Sequence, residues 1–271
     1  MTGAQDEVEV WLVSDQHSER VLAGLFAVLD PDERRRAESC RSQDARRRFV
    51  VAHGAVRHIV ARRLGVPAGE IRWRHGPHGK PELDGRWAGA KVNLSHSGDV
   101  AMVAVTGSRR VGVDVQRVLP RLDAVAMAER YFPRAEAGLV RAMPEVADRA
   151  GQFATLWARK EALVKAHGGR LTQGLRIPVT PPGRPRPGCP AAGCPRDCPL
   201  SARPPGDGSA PIPGPPGCPP PELGPQDAWS RDYRTADVAA PAGYRAAVSL
   251  SGRAGYRVTA LRWTWPGPAP S

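Results

Sequence analysis

Between Pro178 and Ala228, 18 of 51 residues are proline and 8 are glycine, and this stretch limits what the rest of the chain can become. Proline has no backbone donor for a hydrogen-bonded ladder, and a composition so poor in apolar side chains cannot build a core. Residues 181–227 therefore read as a low-complexity, flexible insert rather than a domain. Ordered patterning resumes in GYRAAVSL (243–250) and GYRVTALRWTW (255–265), two strand-like runs joined by a turn at Gly252–Gly255. The insert thus interrupts a sheet.

Ahead of it, VEVWLV (8–13) reads as a strand. Residues 44–64 read as a helix, because Phe49, Ala52, Val56, Ile59 and Val60 recur at helical spacing until Gly65 and Pro67 end it. Short strands are expected at IRWRH (71–75), KVNLSHS (91–97), VAMVAVT (100–106) and VGVDVQRV (111–118). Helices are expected near 122–130, 134–142 and 145–167, the last closing at Gly168–Gly169. A long helix with strands around it occurs once in each part of the chain. The organisation expected is an N-terminal half (1–110), a C-terminal half (111–180 plus 228–265) and the insert (181–227).

The formal charge of +12, much of it arginine in RRRAESCRSQDARRR (34–48), calls for anionic partners. Arginine suits bidentate phosphate contacts. Nucleic acid fits less well than a phosphorylated small molecule or an acidic protein, because aromatics are 6% of the chain and do not interleave with the arginines. No apolar run is long enough to cross a bilayer. The N-terminal MTGAQDEVEVW has no export-signal pattern, so a cytoplasmic protein is expected. Cys40 lies in the Arg-rich segment, read as helical. Cys189, Cys194, Cys198 and Cys218 have intervals that match zinc pairs poorly, and read as exposed reduced thiols.

Four short stretches carry chemistry. In VGVDVQ (111–116), alternation sends Val111, Val113 and Val115 to one face and Gly112, Asp114 and Gln116 to the other. An edge strand with one wet face is the common meaning of such a pattern. A pair of hard oxygen ligands suited to Mg²⁺ is the alternative. Gly112 leaves room for another group to approach the backbone beside Asp114. In WARKEALVKAHGG (157–169), Trp157, Glu161 and Lys165 stack along one helical stripe. Alone, that is an ordinary surface i,i+4 pair. Upstream, GPHGKPELDG (76–85) fixes Lys80 between Gly79 and Pro81, and NLSHS (93–97) presents Ser95 and His96 before a turn.

The order GKP, NLSHS, GVDVQ, RYFPRAE (130–136) and WARKEALVKAHGG resembles the 4′-phosphopantetheinyl transferases of the Sfp type, over roughly residues 30–180. The resemblance implies an α+β fold of two pseudo-symmetric halves, each a long helix packed on a small antiparallel sheet, with the site in the cleft between them. It implies transfer of the phosphopantetheine arm of coenzyme A to a serine of an apo acyl or peptidyl carrier protein. The reaction is Mg²⁺-dependent and releases 3′,5′-ADP. By the same resemblance Asp114, Gln116 and Glu161 hold the metal, and Glu161 accepts the serine proton, directly or through water. Lys165 neutralises the pyrophosphate. Arg47, Arg48, Lys80, Pro81, Ser95, His96 and Lys160 bind coenzyme A, with Arg36 nearby. Trp157 packs the helix.

With both halves in one chain, a monomer is implied. Gln116 departs from the family pattern, which commonly has a carboxylate there. It keeps in play a catalytically impaired homologue that binds coenzyme A or a carrier without turnover.

Overall fold

The computed structural model describes residues 6–76, 80–180 and 232–266, so the insert lies outside the described residues. The N-terminal half runs β1 (Asp6–Ser14), α1 (Glu19–Ala27), α2 (Pro31–Glu38), α3 (Gln43–Leu64), β2 (Trp73–His75), β3 (Pro81–Leu83), β4 (Lys91–Ser97) and β5 (Val100–Thr106). The second half runs β6 (Val111–Arg117), α4 (Ala124–Tyr131), α5 (Arg134–Arg141), α6 (Val146–His167), α7 (Leu171–Gly174), β7 (Tyr233–Val238), β8 (Tyr244–Ser251) and β9 (Tyr256–Arg262).

The two 22-residue helices begin and end as their sequences require. Ser42 caps α3 by accepting from the Ala45 N–H, and Gly65 closes it in the left-handed conformation. Gly168 closes α6 in the same way at φ 85°. The expected helices and strands lie within a few residues of these bounds. α1, β3, α7 and β7 were not anticipated, and α2 overlaps the Arg-rich segment read as helical. Cys40 falls in the break between α2 and α3, not in a helix.

Two sheets stack between the long helices. One has the order β4-β5-β1-β9 and the other β6-β8-β7. Odd residues of β1, Trp11 and Val13, pack with Val51, Ala55 and Ile59 of α3. Even residues, Val8 and Val10, pack with Val111, Val113 and Val115 of β6 and with Val248 and Leu250 of β8. The alternation read in β6 is therefore real. Its wet-looking face is not open to solvent, however; it is the face that receives α6, where Ala158 and Ala162 meet Ala247.

One expectation needs correcting. β9 does not stay with the second half: it pairs parallel to β1, Trp11 opposite Leu261, and completes the first sheet. Apolar burial explains the crossover, since Leu261, Trp263 and Trp265 join the α3 core. No helix among the described residues is long and apolar enough to cross a membrane.

The chain after β9 lays Trp263 and Trp265 against two histidines. His58 lies edge-on to Trp265 at 5.0 Å, and His17 edge-on to Trp263 at 5.3 Å. Nε2 of both is buried without a hydrogen-bond partner. Desolvation lowers both imidazole pKa values below 6.5. A folded-state pKa depressed in this way contributes stability above the unfolded value and loses it as pH falls through the folded one. The thermal midpoint is therefore expected to drop on acidification from pH 7 to pH 5. A His58→Phe variant should show a smaller drop, read by circular dichroism melts at both pH values.

Candidate active site

β6 is an edge strand whose even residues pair with β8, so its odd residues turn their backbone groups toward β4. An unpaired edge of this kind must find partners. The first half supplies them from side chains. Asn93 Oδ1 accepts from the Val113 N–H at 2.8 Å, Ser95 Oγ from Val115 at 3.4 Å and Ser97 Oγ from Arg117 at 3.0 Å. Alternation places Asn93, Ser95 and Ser97 on one face of β4, which is why NLSHS takes that form. The tract fastens the two halves together.

On the other side of β6, α6 comes to backbone contact. A Cβ added at Gly112 would lie 2.1 Å from the Ala162 carbonyl oxygen and 2.3 Å from the Ala166 nitrogen. The group admitted by Gly112 is thus the helix that carries Glu161 and Lys165.

This approach brings distant residues together. Lys165 Nζ lies 2.6 Å from Asp114 Oδ1 and 2.9 Å from Ser95 Oγ. Ser95 donates its own hydroxyl to the same Oδ1 at 2.7 Å. Asp114 is 4% exposed, and desolvation raises its pKa against the opposing pull of Lys165 and Ser95. Its second oxygen, Oδ2, is buried with no hydrogen-bond partner. Glu161 is half-buried, and its pKa is also raised, first by desolvation; Lys165 opposes the rise and Asp114 adds to it. Trp157, one helical turn before Glu161, packs its ring with Phe132 and Phe153.

Two carboxylates whose pKa values desolvation raises, Asp114 adding to the rise at Glu161 and itself keeping an oxygen without any partner, fit a hard divalent cation. No group of three or more His, Cys, Asp or Glu side chains gathers as a metal site among the described residues. The carboxylates expected at a metal are Asp114 and Glu161, with Gln116 on the same strand face as Asp114. Gln116 is half-exposed, and its amide donates to the Arg117 carbonyl at 3.3 Å.

The other expected coenzyme A residues are placed variously. His96 is exposed beside this cluster, its pKa lowered by desolvation and then by Lys165 and His53. Arg48 contacts Asp99 at 3.3 Å, while Arg47 holds the Asp15 carbonyl, the His17 carbonyl and Glu19. Arg36 stacks over Phe49. Pro81 is exposed at the start of β3.

Two expectations are corrected. Lys160 is fully buried: its ammonium sits 2.6 Å from Glu136 and donates to the Ile177 carbonyl, so it cannot meet a ligand without breaking a buried pair. Lys80 turns inward to the carbonyls of Val111 and Lys165. Glu136 in RYFPRAE, the partner of Lys160, was missed. The Cys-containing stretch lies outside the described residues, and Cys40 is a free thiol.

A family model described as the 4′-phosphopantetheinyl transferase superfamily matches residues 110–188. The chain is 34% identical to the 4′-phosphopantetheinyl transferase HetI of Nostoc sp. over 185 residues, 67% of this chain and 78% of the relative. It is 24% identical to the 4′-phosphopantetheinyl transferase Sfp of Bacillus subtilis, over 62% of this chain and 69% of that one. The L-aminoadipate-semialdehyde dehydrogenase-phosphopantetheinyl transferase of Homo sapiens is 28% identical over 46% of this chain and 45% of its own length.

Proposed function

This chain belongs to the 4′-phosphopantetheinyl transferase superfamily and is an enzyme of that kind, and from that premise we propose the reaction it performs. The phosphopantetheine arm of coenzyme A passes to a serine of an apo acyl or peptidyl carrier protein, with release of 3′,5′-ADP. The observation that carries this reading is the convergence of Asp114, Ser95 and Lys165, with Glu161 electrostatically coupled to them, where the two halves join.

Asp114 and Glu161, with Gln116, would hold Mg²⁺, which when bound supplies positive charge to the pyrophosphate. Glu161, whose raised pKa makes it a better proton acceptor than an ordinary carboxylate, takes the proton of the carrier serine as its oxygen attacks the β-phosphate. Lys165, anchored on Asp114 and Ser95, neutralises charge on the departing 3′,5′-ADP. Ser95 keeps Asp114 and Lys165 in register rather than meeting phosphate itself. His96, Arg48 and Arg47 surround the nucleotide end. The basic surface suits carriers that are acidic, and a fused pair of halves suits a monomer in the cytoplasm.

The test is mass spectrometry of a panel of apo carriers from fatty-acid, polyketide and nonribosomal-peptide synthesis, each mixed with the protein, coenzyme A and Mg²⁺. A carrier mass increase equal to phosphopantetheine is expected for at least one. No increase on any carrier would defeat the proposal. Gln116 makes a second expectation. Gln116→Glu adds one charge beside the metal and should lower the half-saturating Mg²⁺ concentration by about tenfold. An unchanged value removes Gln116 from the metal.

A further inference from the structure

The Lys80 ammonium is mostly buried and joins two backbone positions of the second half, one at the start of β6 and one near the end of α6. It donates to the Val111 carbonyl at 2.9 Å and to the Lys165 carbonyl at 2.6 Å. Both oxygens need an outside partner. Val111 is the first residue of β6, on the strand edge that β4 meets only through side chains. Lys165 lies in the last turn of α6, where carbonyls have no intrahelical N–H. Val164, one residue earlier, is satisfied by the N–H groups of Gly168 and Gly169, and His167 receives Arg110. The Lys165 carbonyl receives Lys80. A cation is also favoured there by the helix dipole.

We propose that Lys80 is a positioning residue for the transfer step, acting through Lys165: its ammonium bridges the start of β6 to the end of α6 and so fixes Lys165 against Asp114. Val111 lies three residues before Asp114 on the same strand, and the second carbonyl belongs to Lys165 itself. The bridge therefore spans the two elements whose side chains meet at 2.6 Å. It works from the opposite half, because Lys80 belongs to the segment between β2 and β3. Burial lowers its pKa to about 8, in keeping with an ammonium enclosed by protein rather than exposed to a ligand. This inference rests on the transferase reading above.

The experiment is a double-mutant cycle of Lys80→Met with Lys165→Met in the full chain. The readouts are kcat for carrier modification and the Kd of coenzyme A, measured by calorimetry. Lys80→Met alone should lower kcat by about 30-fold while changing the coenzyme A Kd by less than about twofold, since a small misplacement of a catalytic group is costly. In the Lys165→Met background, removing Lys80 should lower kcat by no more than about threefold further, because contacting residues that act as one unit are not additive. Fully additive losses overturn the proposal. So does a tenfold weaker coenzyme A Kd with kcat unchanged, which would make Lys80 a ligand contact. Should Lys80→Met not fold, Lys80→Gln, which retains an amide donor, carries the same cycle. A wild-type chain that modifies no carrier defeats the function reading, and this inference with it; an active wild type with additive losses defeats this inference alone.

Discussion

Glu161→Ala is expected to lower kcat for phosphopantetheine transfer by about 10³-fold, the range over which a positioned general base acts. Three features of the position support so large an effect. Lys165 stands one helical turn further on, and its ammonium acts on the Glu161 carboxylate as a charge. Desolvation raises the Glu161 pKa, so the group proposed to take the serine proton is more basic than an exposed glutamate. In the proposed reaction it is also, with Asp114, the acidic part of the Mg²⁺ donor set, so alanine would remove a base and a ligand together. Folding should not suffer, because a half-buried carboxylate with a raised pKa is less favourable in the folded state than in water. The thermal midpoint, read beside the turnover assay, should stay within a few degrees of wild type. Glu161→Asp keeps the charge but withdraws it by one methylene, and should recover part of the rate.

Much of this was legible in the sequence because local rules agreed with the global fold. The 3.6-residue period of Phe49, Ala52, Val56 and Ile59 and the glycines at 65 and 168 fixed the two long helices to within a residue or two. The two-residue period of 111–116 assigned each side chain of β6 to its correct face. The rest depended on contacts that no local pattern encodes. Nothing in GYRVTALRWTW distinguishes a strand that stays in its own sheet from one that crosses to lie beside β1. Lys160 and Lys165 share one helix and one charge, yet Glu136 buries the first and Asp114 holds the second near the cleft. Lys80, placed by the motif GKP at a ligand, is taken up by two carbonyls. The alternation of Asn93, Ser95 and Ser97 could have been read as a cap for a strand edge, had the edge been known to face it.

Gly112→Ala is expected to damage both the fold and the reaction, and its cause lies in space rather than in backbone freedom. Gly112 is not among the glycines with positive φ, so its strand conformation suits any residue. The obstacle is α6: the new methyl would lie 2.1 Å from the Ala162 carbonyl and 2.9 Å from the Lys165 carbonyl carbon. These are backbone atoms within a hydrogen-bonded helix, so no side chain can rotate to relieve the clash. The helix must move outward by an ångström or so as a body, and overpacking of this sort costs about 1–3 kcal/mol. The helix that moves carries Glu161 and Lys165, while Asp114 stays with the strand. A displacement of about 1 Å at a reacting group can cost about 10²-fold in rate, so transfer should fall by that factor even in the fraction that remains folded. Gly107→Ala is the matched control, since a Cβ there meets nothing within 4 Å. It should leave both the thermal midpoint and the turnover rate unchanged. If Gly112→Ala behaved like that control, α6 would not approach β6 this closely, and the meeting of Lys165 with Asp114 would lose its structural basis.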